Sequence, residues 1–129
     1  MNTCILKIDT QHAKVYNYPE GMNKPHIIDE SHAEHHTHDS KDANKGHRVK
    51  FYHAIATYLQ NTAQVKEVYI LGSKVAGAEF KHHLENHNHK ELTKKIIGVD
   101  TIDGHATDAD VFAKAKEFFK HYRSFTPNY

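Results

Sequence analysis

The chain has one cysteine, almost no net charge and no long apolar run, and each shortage removes a class of function. The single thiol, Cys4, has no second cysteine for an intramolecular disulfide. Its place in the run Cys4-Ile5-Leu6 reads as a small core hydrophobe rather than a nucleophile. Lys plus Arg number 17 against 16 for Asp plus Glu, a formal charge of +1, so no global field draws the protein onto nucleic acid. Any RNA contact must be local. No window approaches the roughly 20 apolar residues of a spanning helix, and the N-terminal residues do not form a signal peptide. The expectation is a cytoplasmic protein without a membrane partner.

A chain of 129 residues is long enough for one hydrophobic core and too short for two, which predicts a single domain over 1–129. Its hydrophobic fraction of 38% is low, but seven Tyr and six Phe supply the bulk a core needs. The most unusual count is 14 His. Histidine titrates near neutrality, so mild acidification makes the protein strongly cationic, and solubility and anion binding should vary with pH.

Residues 4–8 and 13–18 are rich in β-formers and flank the turn-like Asp9-Thr10-Gln11-His12, a hairpin pattern. After Pro19-Glu20-Gly21, an extended piece around Lys24–Ile28 adds a third strand, with Pro25 tolerated at its start or on an edge. From about 29 to 46 no apolar periodicity survives, which predicts a long His-rich loop. Loops beyond about 12–15 residues in a compact domain are usually functional or mobile. From His47 to about Asn61, Phe51, Ile55, Tyr58 and Thr62 form one stripe with Tyr52 and Leu59 beside it, the spacing of an amphipathic helix.

Val68-Tyr69-Ile70-Leu71 before Gly72-Ser73 fits a buried parallel strand entering a βα unit. A helix over Val75–Glu85 using Val75, Ala76, Phe80 and Leu84 follows, then a second short strand at Ile96–Val99 and a turn at Asp103-Gly104. Thr107 with Asp110 three residues on is a capping-box pattern ahead of Val111, Phe112, Ala115, Phe118, Phe119 and Tyr122. The Phe-rich face of this last helix suits either the sheet or a second subunit, so oligomeric state stays open. The order predicts an α/β fold, a mixed five-stranded sheet with three main helices and right-handed crossovers in its parallel part.

Ile8-Asp9 with Ala13 and Val15, then Val68-Tyr69-Ile70-Leu71-Gly72-Ser73, then Glu79-Phe80-Lys81 with Leu84, and finally Ile97-Gly98-Val99-Asp100 occur in an order and spacing that covers nearly the whole chain. Together they resemble the middle domain of archaeal and eukaryotic class 1 peptide-chain release factors and of Pelota. The similarity extends most to the small stand-alone bacterial members termed translational machinery protein. The resemblance implies a ribonuclease H-like fold with strand order 3-2-1-4-5. In release factors the loop before the first long helix carries Gly-Gly-Gln, which promotes ester hydrolysis in the peptidyl transferase centre. This sequence has no Gly-Gly-Gln, and the matching interval holds His32, His35, His36, His38 and His47. The resemblance therefore implies association with ribosome or tRNA, not peptide release.

Two uses of that interval compete. Lys41, Lys45, His47, Arg48 and Lys50 supply cationic groups able to follow phosphates without reading bases, although Asp39 and Asp42 partly cancel them. The alternative is a metal-binding or metal-responsive protein in which His32, His35, His36 and His38, with Glu34 and Asp39 nearby, take zinc, nickel or copper. A third use, peptidyl-tRNA hydrolase-like chemistry, has no visible nucleophile or oriented base. A second group, His82, His83, His87 and His89, lies where imidazoles favour a helix C-terminus, and His83 and His87 share a face only if the helix continues that far. Nuclease chemistry would need convergent carboxylates. The helix from His47 to Asn61 contains none, so Asp9 reads as a turn residue and Gly72 as a close-packing position.

Overall fold

A computed structural model of the chain describes residues 3–29, 41–87 and 89–125, with the side chains of 41–47 and 123–125 outside that description. The first three strands are β1 (Thr3–Ile8), β2 (His12–Asn17) and β3 (Gly21–Asp29). Asp9 closes the first hairpin as a turn residue, its Oδ1 accepting the backbone N–H groups of Gln11 at 2.8 Å and His12 at 2.6 Å. Helix α1 (Lys41–Thr57) runs on into a π-helical turn, Tyr58–Thr62, and β4 (Glu67–Gly72) follows. Then come α2 (Ala76–Asn86), the single turn α3 (Lys90–Thr93), β5 (Ile96–Thr101) and α4 (Asp108–Phe125).

The five strands form one sheet in the order β3-β2-β1-β4-β5, antiparallel among the first three and parallel from β1 through β4 to β5. Strand β3 is an edge, which accommodates Pro25, a residue with no N–H for a second ladder. Side chains alternate across the sheet with the period of two that strands impose. Cys4, Leu6, Ile8, Val68 and Ile70 face α1 and α2, packing on Phe51, Ile55, Leu59, Phe80 and Leu84. Ile5, Tyr16, Tyr69 and Leu71 face the other way, onto Val111, Ala115 and Phe119 of α4. The Phe-rich helix thus covers the sheet.

Three boundaries differ from expectation. Helix α1 begins at Lys41, so 41–46, expected in the loop, are helical. Gly46 costs a helix about 1 kcal/mol relative to Ala but does not end it, and no proline interrupts 41–57. Thr62, expected on the apolar stripe, is exposed. The π-turn, closed by the Ala63 N–H on Tyr58 O at 2.9 Å, adds a residue to one turn and rotates the stripe away from it. Val75, expected in the core, precedes α2 and is 57% exposed, while Ala76 takes the buried place. Among the described residues no helix is long and apolar enough to cross a membrane.

Candidate functional site

Of the residues expected to act, His32, His35, His36 and His38 lie outside the described residues. Lys41, Lys45 and His47 belong to the opening turns of α1. The spacing of Lys41, Lys45 and Arg48 is that of one helical face, while Lys50 falls about half a turn away. The five basic positions therefore do not form a single stripe. Lys50 is exposed, and the Arg48 Nε is held 3.2 Å from the Glu79 Oε1 of α2.

That ion pair forms one wall of a pocket of about 210 Å³ between α1 and α2, lined by Arg48, Val49, Tyr52, Glu79, His82, His83, Asn86 and His87. Tyr52 is buried because it lies on the inward stripe of α1, and its hydroxyl donates to the same Glu79 oxygen at 2.7 Å. Burial, then the hydrogen bond to Glu79, pushes this hydroxyl well above the usual tyrosine range, so it remains a donor. Glu79 accepts from both neighbours. This arrangement fixes α1 to α2 and leaves Glu79 poorly placed to act as a base.

The α2 side of the pocket carries the imidazoles of His82, His83 and His87, and His89 and His53 lie beyond it. His83, one turn beyond Glu79 on α2, is 6% exposed, and its Nε2 is buried without a hydrogen-bond partner. Leaving such a group unpaired costs about 1–3 kcal/mol, so its retention calls for an explanation. His87 stacks on it with ring centroids 4.3 Å apart, His89 lies 6.0 Å from it, and His53 of α1 lies 5.6 Å from His89. Tyr52 meets the His83 ring edge-on at 5.6 Å. Burial first, and then the neighbouring His87, His89 and His53, pushes the His83 imidazole down to about 4. The same kinds of cause lower His89. Both rings are neutral at physiological pH, able to accept a hydrogen bond or ligate a metal.

No protein-family model and no curated protein matches this chain.

The chemistry of the site must therefore be read from its own residues. The His82–His89 group was visible in the sequence, and the helix does carry the i, i+4 relation on to His87, whose N–H bonds the His83 carbonyl at 3.0 Å. No spacing in the sequence links His53 to this group. Its distance of 30 residues from His83 hides a proximity that exists only because α1 packs against α2. Gly72-Ser73 does serve close packing, since a Cβ at Gly72 would lie 2.5 Å from the Gly77 nitrogen.

Proposed function

We propose that this protein is a translation-associated, non-catalytic binding module that contacts ribosomal RNA or tRNA through the segment from His32 to Lys50. The observation that supports this reading most is the sheet order β3-β2-β1-β4-β5. It is the order implied by the resemblance to release-factor middle domains, and the polar His-rich interval enters α1 at the place where those proteins carry their functional loop. With no Gly-Gly-Gln in the sequence, the module acts by occupying a site rather than by promoting ester hydrolysis. In this reading Lys41, Lys45 and Lys50 carry the phosphate contacts, and Arg48 is held by Glu79.

Phosphate binding releases counterions, which gives the test its form. Binding of purified protein to tRNA and to ribosomes is measured between 50 and 200 mM salt, with and without chelator. The expected result is chelator-independent binding with a log–log salt slope of about −2 to −3, flattened toward zero by the Lys41→Ala/Lys45→Ala/Lys50→Ala variant. Absence of ribosome co-sedimentation and of salt-sensitive tRNA binding would overturn the proposal.

A further inference from the structure

We propose that the end of α2 is an acid-released latch, in which a proton taken up by His83 frees the last turn of the helix from α1 while the sheet stays folded. The device is independent of RNA contact. Its first support is the place of the His83 ring, which is 6% exposed and meets Tyr52 of α1 edge-on at 5.6 Å. Among the described residues its Nε2 has no hydrogen-bond partner. A neutral imidazole is tolerated in that setting, whereas an imidazolium brings a full charge and two N–H donors that both need acceptors. The second support is the company around it. His82 and His87 stand on the same helix, Arg48 and His53 on α1, and His89 on the junction into α3, with His87 stacked on the ring at 4.3 Å and His89 at 6.0 Å. Among the described residues the one carboxylate lining this pocket, Glu79, already accepts from Tyr52 and pairs with Arg48. A charge on His83 therefore meets other imidazoles and a guanidinium, and it is relieved by carrying the ring outward into water.

The motion required is short. His83 lies in the last turn of α2, which ends at Asn86. The chain beyond is tied back by the His87 N–H on the His83 carbonyl and the His89 N–H on the Leu84 carbonyl, both at 3.0 Å. Helix ends open locally at far lower cost than a sheet buried on both faces. Burial first, and then His87, His89 and His53, holds the closed ring at about 4 against an ordinary value of 6.5. Between those values an opened ring carries a proton and a closed one does not. The latch is therefore fully closed above pH 6.5 and loosens as pH falls from 6.5 toward 4. From pH 7.5 to 5.0 this single group raises the opening equilibrium about thirtyfold.

The His87 and His89 N–H groups report the latch directly. Their hydrogen exchange in the full chain is followed by NMR at pH 7.5 and 5.0, each rate taken relative to the intrinsic rate at that pH. Protection of both should fall about thirtyfold at pH 5.0 and drop well below that of the β4 amides. Imidazole ¹H–¹⁵N correlation spectra should place the His83 midpoint well below 6.5. His83→Gln, a planar polar side chain that takes no proton, should cut the fall to less than about threefold, while His82→Gln at the exposed neighbouring position should leave it near thirtyfold. If His83→Gln does not fold, the wild-type exchange and titration decide by themselves. Absence of protection at pH 7.5, a wild-type fall of less than about tenfold, β4 amides sinking to the same level, a His83 midpoint at or above 6.5, or equal responses of the two variants would each overturn the latch.

Discussion

Cys4 sits fully buried in β1, its Sγ 3.6 Å from the Asn17 side-chain oxygen, and burial pushes the thiol up to about 11. Thiolate is the reactive form, so a reagent must wait for the fold to open. At pH 8 the native protein should resist a disulfide-exchange reagent, and one equivalent should react promptly in guanidinium. Fast labelling of the native state would show that β1 opens locally. Tyr52 poses the opposite case, a polar group whose value lies in its partner. Losing the hydroxyl in Tyr52→Phe leaves Glu79 with Arg48 alone. The expected cost is about 1–2 kcal/mol in urea unfolding, because the lost bond is charge-assisted but lies beside a pocket that water can enter. A change within about 0.3 kcal/mol would mean that water replaces the hydroxyl without loss.

Helix α4 owes its start to a reciprocal pair. The Asp110 N–H donates to Thr107 Oγ1 at 3.1 Å, while the Thr107 N–H donates to Asp110 Oδ2 at 2.9 Å. Thr107→Ala should therefore destabilise the protein by about 1 kcal/mol, with Thr107→Ser nearly neutral. Equal effects of the two in thermal or urea unfolding would assign the loss to the methyl group instead. This cap was legible in the sequence because it is local, as were the Asp9 turn, the apolar runs of β4 and β5, and the amphipathic face of α1. The π-turn at Tyr58–Thr62 was not, since it follows from packing at the end of α1, where Tyr58 stacks on His26 of the edge strand at 4.0 Å. The imidazole group was half legible. His83, His87 and His89 are neighbours in sequence, but His53 joins them only through the packing of one helix on another, and no spacing rule carries that information.

At the scale of the whole molecule, α2 is positioned by how closely its backbone approaches the sheet where the parallel strand β4 ends. At Gly72, a methyl group would lie 2.5 Å from the nitrogen and 2.7 Å from the Cα of Gly77. Both are backbone atoms, so rotating a side chain brings no relief, and α2 would have to lift from β4. Because Phe80, His83 and Leu84 all follow Gly77 on α2, such a displacement loosens the core beneath α1 and parts His83 from Tyr52 at once. Gly72→Ala should therefore cost about 1–3 kcal/mol or more in urea unfolding. Gly104→Ala is the matched control: nothing lies within 4 Å of its added methyl, and among the described residues no glycine has positive φ. Its effect should stay within about 0.5 kcal/mol. Similar effects of the two substitutions would mean that the β4–α2 approach relaxes without loss and that α2 is not held in place there.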